Sequence, residues 1–247
     1  MKRALLLRVL LAITCASMAQ TAASKVANSE NAKPASPKLF FVFLNRPANA
    51  PTYSKEKGEE IQAGHMANIH RLYGEGKLNM AGPFMDDTTM RGIFVFTATS
   101  AEQVKEWLST DPAVKAGRLE GDVHPWTPAK GAIHHPLTEP AGMDGMEKFV
   151  LLVYRWGNEA KSMPQDKVQA AFQAHMKYQL GMYEAGKTEI GGPFSDLMGG
   201  EFIGVVIAHG NQEDGEKLAA ADPVVSSGVA RAEVHEWITA KGVLLHD

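Results

Sequence analysis

The sequence predicts an α+β fold made of one β-α-β-β-α-β unit used twice in tandem, and three observations carry that prediction. Short motifs recur in the same order at a nearly constant offset. Each half alternates strand-length apolar runs with helical stretches. A segment rich in Pro and Gly separates the halves.

The repeat is visible by direct comparison. Gly64-His65-Met66 recurs as Ala174-His175-Met176, an offset of 110. The same offset pairs Tyr73 with Tyr183, Gly76-Lys77 with Gly186-Lys187, and Gly82-Pro83-Phe84 with Gly192-Pro193-Phe194. After a one-residue insertion, an offset of 111 pairs Asp111-Pro112 with Asp222-Pro223, Val123-His124 with Val234-His235, and Trp126 with Trp237. Chance supplies one such match, not an ordered series.

In the first copy, Leu39 to Leu44 is an apolar run of strand length, suited to burial on both faces. A helix follows from about Ser54 to Tyr73, stopped by Gly74 and Gly76. Lys77 to Phe84 and Gly92 to Thr97 read as the second and third strands. Ser100 with Gln103 is a helix-capping pair for a second helix running to about Ser109, and Arg118 to Trp126 is the last strand. The second copy repeats the order with strands at Phe149 to Tyr154, Lys187 to Phe194, Phe202 to Ala208 and Ala230 to Trp237, and helices at Gln165 to Glu184 and Glu213 to Ala220. This is the ferredoxin-like, split βαβ order. Such a unit covers one sheet face with helices and leaves the other bare, so two copies on one chain are expected to pack sheet to sheet as a pseudo-dimer.

The domain plan follows. Residues 1–23 read as a secretory signal peptide: a positive head at Lys2-Arg3, an apolar stretch from Ala4 to Ala19, and small residues at the cleavage region. Residues 24–37 read as a disordered spacer, 38–131 as the first repeat, 132–146 as the linker and 147–242 as the second repeat. The expected location is periplasmic or secreted. Cys15, the only cysteine, would leave with the leader, so neither disulfides nor thiolate chemistry are expected in the mature chain.

Removing the leader takes away Lys2, Arg3 and Arg8, which leaves 25 − 3 = 22 bases against 28 acids, a net of −6. A nucleic-acid or anionic-membrane partner calls for the opposite sign, so neither is expected. A small-molecule ligand or substrate fits better, with the protein a monomer or a homodimer of pseudo-dimers. There is no Gly-rich phosphate loop, nucleophile elbow or His-Glu-x-x-His motif.

The helical His, the Gly-Lys-x-x-x-x-Gly-Pro-Phe stretch, the Asp-Pro after the second helix and the last strand together resemble the YCII-related (YciI-like) proteins, over about residues 38–130 and 147–241. The resemblance implies a dimeric α/β-barrel, a pocket holding a His–Asp pair proposed to act catalytically, and no obligatory cofactor. Carried over by position, the pairs are His65 with Asp111 and His175 with Asp222.

The residues support that chemistry and also a plainer one. His65 shares a helix face with Ile61, Ile69 and Leu72, and His175 one with Val168, Phe172 and Met182, so both point towards the sheet. An imidazole held by a carboxylate has a fixed tautomer and can move a proton on a bound molecule, which suits a lyase or isomerase. Equally, Asp before Pro is the pattern of a helix N-cap and first turn, and a helical His facing a sheet can be a packed core residue. A protein that only binds a ligand in the same pocket is the alternative function. His124 and Trp126, with His235 and Trp237, share a strand face and either line the binding pocket or pack between sheets. His65, His124 and Asp111 match no metal-site spacing, so no metal is assigned.

Overall fold

The computed structural model describes residues 36–128, 132–133 and 145–245. The expected signal peptide, nearly all of the spacer and most of the linker lie outside the described residues.

The first repeat runs β1 (Lys38–Asn45), α1 (Lys55–Gly74), β2 (Leu78–Pro83), β3 (Met90–Ala98), α2 (Ala101–Leu108), α3 (Pro112–Lys115) and β4 (Glu120–Trp126). A two-residue strand β5 (Ala132–Ile133) follows. The second repeat runs β6 (Met146–Trp156), a 3-10 turn at Ala160–Ser162, α4 (Gln165–Glu184), β7 (Thr188–Pro193), β8 (Phe202–Ala208), α5 (Gln212–Ala221), α6 (Pro223–Ser226) and β9 (Ala230–Ala240). The last strand, β10 (Leu244–Leu245), pairs with β5, so part of the expected linker is tied to the residues after the second repeat. Among the described residues no helix is long and apolar enough to cross a membrane.

Local chemistry explains the boundaries. The Ser54 hydroxyl accepts the Lys57 N–H at the start of α1, and Gly76 adopts φ +68 just past its end, a conformation open to glycine. Ser100 caps α2 through the Gln103 N–H, while the Gln103 side chain accepts the Thr99 N–H. In the second repeat Asn211 and Asp214 form the reciprocal capping box.

Each repeat builds a four-stranded antiparallel sheet, β2-β3-β1-β4 and β7-β8-β6-β9. The apolar run in β1 is buried on both faces: Phe40, Val42 and Leu44 meet the helices, Phe41 and Phe43 the opposite sheet. The two sheets join at both edges. Phe84 bridges to Trp237 and Trp126 to Phe194, and the Met85 N–H donates to Glu236 O (2.8 Å), as the Ser195 N–H does to Pro125 O (2.8 Å). The closed barrel encloses stacked rings, among them Phe43 on Phe202 with centroids 4.7 Å apart. Each such buried ring contributes about 1.5–3 kcal/mol over its exposed state.

The Gly-Pro pairs that recur in the sequence lie at these seams. A Cβ on Gly82 would stand 1.9 Å from Ile238 O, and one on Gly192 would stand 2.3 Å from Thr127 O. Glycine is what lets the last strand of each repeat approach the other repeat. The structure also refines the one-residue insertion of the sequence comparison. The loop 195–201 has seven residues where 85–89 has five, and one residue fewer precedes the cap Asn211 than precedes Ser100.

Candidate active site

His65 lies on the inner face of α1, where Ile61, Asn68 and Leu72 are also buried. α3 brings Asp111 to it. The Pro112 ring packs against Gly64, where a Cβ would come within 2.9 Å, so the absence of a side chain there lets α3 close on α1. His65 Nδ1 donates to Asp111 Oδ2 across 2.7 Å, and Asn68 Nδ2 donates to the same oxygen at 3.3 Å. Asp111 Oδ1 accepts the Ala113 N–H at 2.8 Å. Asp111 is thus both the N-cap of α3 and the partner of His65, and it is only 1 % exposed.

With Nδ1 committed as donor, Nε2 is the acceptor atom of the ring. The ring lines a cavity of about 370 Å³ that runs from α1 across the edge of β2 and β3 to the end of β9. Its apolar wall includes Leu44, Met66, Ile69, Tyr73, Leu78 and Phe94, and Thr239 and Ala240 of the second repeat close one side.

The second repeat forms its pair as well. His175 Nδ1 lies 2.8 Å from Asp222 Oδ2, and Asp222 Oδ1 accepts the Val224 N–H at 3.1 Å. Here, however, Tyr154 stands where the first repeat has Leu44. Its hydroxyl donates to Asp222 Oδ2 (3.0 Å), Gln179 Nε2 donates to the same oxygen (2.8 Å), and its ring packs edge-on to His175. Burial raises the Tyr154 pKa well above the ordinary phenol value, and the adjacent Asp222 carboxylate adds to the rise. Tyr154, Ile203 and Val229 belong to the packed core of this repeat, with Trp156 against it.

His124 and His235 are not beside the helical histidines. They lie on the opposite, barrel-facing side of each sheet, stacked on Phe194 (4.8 Å) and Phe84 (4.7 Å). Each reaches across a seam: His124 Nδ1 is 3.1 Å from Asp196 Oδ2, and His235 Nδ1 is 2.6 Å from Asp86 Oδ2. Trp126 and Trp237 share that face and are buried in the barrel core; the Trp126 Nε1–H donates to Gly192 O (3.1 Å). Burial lowers the His124 pKa, but the Asp122 and Asp196 carboxylates outweigh it and hold it above the usual imidazole value. His124 in turn lowers the pKa of Asp122. Because His65 and His124 occupy opposite faces, the combination of His65, His124 and Asp111 does not converge. Among the described residues no group of three or more His, Cys, Asp or Glu is placed to hold a metal ion.

The order of the two repeats agrees with the comparisons. The YCII-related domain matches residues 39–127 and again 148–238. The chain belongs to the YCII-related family. The chain is 38% identical over 68 residues to the uncharacterized protein YjpA of Bacillus subtilis, covering 28% of this chain and 78% of that one. A chlorite dismutase variant from Candidatus Nitrospira defluvii superposes with a TM-score of 0.50 at 12% identity, covering 81% of this chain and 91% of that one. A 5-chloro-2-hydroxyhydroquinone dehydrochlorinase from Burkholderia phenoliruptrix matches 36% of this chain and 93% of its own, at 21% identity and a TM-score of 0.29. At 12% identity the dismutase likeness shows the fold alone: two tandem units forming a dimeric α/β-barrel in one YCII-related chain.

Several site residues carried no sequence signal of their own. Asn68 sits three residues after His65 on the same helix face and could have been found by that spacing. Leu44, Tyr154 and Gln179 acquire meaning only when strand and helix are packed together. Asp86 and Asp196 sit in loops next to the Gly-Pro-Phe motif, and each partners the other repeat's histidine.

Proposed function

We propose that the first repeat carries a cofactor-free proton-transfer site, acting as a lyase or isomerase on a small organic molecule, with His65 as acid and base and Asp111 as its positioning partner. One observation carries this reading: an imidazole whose Nδ1 is tied to a buried carboxylate presents its ring to a 370 Å³ cavity. Nε2 removes a proton from carbon next to a carbonyl, and the electron pair moves to the carbonyl oxygen as an enolate. Nε2–H then returns the proton at another carbon, giving isomerisation, or passes it to the departing leaving group, giving elimination, and the imidazole is neutral again. Asp111 stabilises the imidazolium without taking its proton, and its Ala113 and Asn68 hydrogen bonds keep it aligned. The reaction balances within substrate and imidazole, so no redox partner enters.

His175 and Asp222 serve mainly as a structural pair in this reading, since Tyr154 and Gln179 occupy the carboxylate. Export is part of the same proposal, supported by the Lys2-Arg3 head and apolar stretch. Amino-terminal sequencing of the mature product should find a start after Ala19 or Ala23, and an intact Met1 would count against export.

The test of the chemistry is deuterium incorporation from D2O into a panel of small enolisable ketones and keto acids, phenylpyruvate among them, followed by proton NMR. The native chain should accelerate exchange for at least one member, His65→Ala should lose that acceleration, and His175→Ala should keep it. Binding without exchange would leave the protein a ligand carrier of the same fold. Exchange surviving His65→Ala would refute the assignment of His65.

A further inference from the structure

The two repeats differ most in charge where they should be most alike. The cavity of the first repeat is lined by Arg46, Arg91 and Arg118 besides His65 and His70, and no Asp or Glu is among its lining residues. The register places Trp156, Ile203 and Val229 at the corresponding positions of the second repeat. There the same three places are apolar: Ile203 and Val229 are buried in the core, and Trp156 packs against it. Duplication alone would have kept them alike, so the first repeat has the chemistry of a site and the second that of a core.

The arginines outnumber the carboxylate that meets them. Asp87 is the carboxylate near two of them, 2.8 Å from Arg91 Nη1 and 3.9 Å from Arg46 Nη1, and it is highly exposed. Arg91 also donates to Thr88 O at 3.1 Å. Arg118 Nη1 donates to a backbone carbonyl, that of Gly58 (3.1 Å), which orients the guanidinium without cancelling its charge. Gly58 lies seven residues before His65 on α1, two helical turns or about 10 Å along the axis. A single substituted ring, hydrogen-bonded at both ends, covers that span. Three guanidiniums against one exposed carboxylate leave the cavity cationic inside a chain whose overall charge is negative.

We propose that the cavity takes a small organic anion: its carboxylate meets Arg118, with Arg46 and Arg91 contributing the field, and its apolar body lies against Leu44, Ile69 and Phe94 with the reacting carbon towards His65. Guanidinium recognises a carboxylate through paired, charge-assisted hydrogen bonds, and the same field favours the enolate that forms during proton removal. This substrate class rests on the proton-transfer reading of the site but is tested apart from it.

Benzoate, benzamide and benzamidine have nearly one shape and carry charges of −1, 0 and +1, so they serve as probes by calorimetry or NMR titration on the full chain. Benzoate should bind best and benzamidine least. Arg118→Met, which keeps the apolar stem, should weaken benzoate about ten-fold or more while leaving benzamide unchanged, and Arg118→Lys should recover part of the loss. Equal or reversed affinities, no benzoate binding at millimolar concentration, or benzoate binding unaffected in Arg118→Met each overturn the proposal. Charge-ordered binding without any deuterium exchange overturns the proton-transfer reading alone. Exchange without charge preference overturns the anion reading alone.

Discussion

Asp111 holds His65 with one carboxylate oxygen, at 2.7 Å, and caps helix α3 with the other, at 2.8 Å to the Ala113 N–H. Capping α3 and holding His65 are therefore simultaneous in this aspartate. A residue that starts one helix is by that fact placed to orient a side chain on another, so the proposed proton transfer and the stability of the fold would be coupled through one group.

Asp111→Asn separates the two roles. The amide oxygen can still cap α3, so unfolding stability should fall by only about 1 kcal/mol. The amide nitrogen turned towards His65 donates rather than accepts, which reverses the ring tautomer. Exchange rate should drop by about two orders of magnitude or more, as measured by NMR beside thermal unfolding. Equal loss of stability and activity would make Asp111 purely structural.

In the second repeat the expected balance is opposite. Tyr154→Phe removes a donor from buried Asp222 and should destabilise by about 1–2 kcal/mol while leaving exchange at His65 intact. Its pH signature has a definite sign. Burial raises the folded-state pKa of Tyr154, so above about pH 10 the unfolded chain loses this proton first and the stability contribution falls as pH rises. Denaturant unfolding between pH 9 and 11 should show a shallower alkaline decline in Tyr154→Phe; an identical decline would contradict the assignment.

The seam at His124 has its own pH dependence. Its folded-state pKa is raised, so its contribution is fully present below about pH 6.5 and is lost as pH rises through the higher folded value. Asp122, lowered by the His124 ring, contributes above about pH 4 and loses that contribution on acidification. Asp196 across the seam, Lys105, and Arg155, which sits over the Phe202 ring at 4.0 Å, are further charges facing this cluster. His124→Gln should flatten the stability change between pH 6 and 8, read by urea unfolding.

Gly82→Ala and Gly192→Ala probe closure of the barrel. Each added methyl would collide with backbone of the opposite repeat, Ile238 O or Thr127 O. Each should cost about 3 kcal/mol or more by the strain of overpacking against main chain. Gly181→Ala, with open space around its Cβ, is the matched control and should stay within about 1 kcal/mol of the native chain or gain stability. Similar unfolding temperatures for all three would remove the seam argument.

Much of this protein was legible along the chain because the signals are local. Two copies of the motif order, strand runs buried on both faces, Ser100 and Asp111 as caps, and a histidine on the inward face of α1 all follow from spacings of a few residues. The meeting of His65 with Asp111 was legible only through resemblance, since 46 residues separate them and nothing in the intervening sequence dictates contact. What packing alone decided is the difference between the repeats. Leu44 against Tyr154, and Arg118 against Val229, are single unremarkable positions in the chain; in three dimensions they leave one site a cationic cavity and make the other a core. The same holds for His124 and His235, whose partners Asp196 and Asp86 come from the other repeat. Periodicity reports which face of an element is buried. Which distant residue shares that burial depends on how the two sheets close, and so it is a property of the tertiary structure.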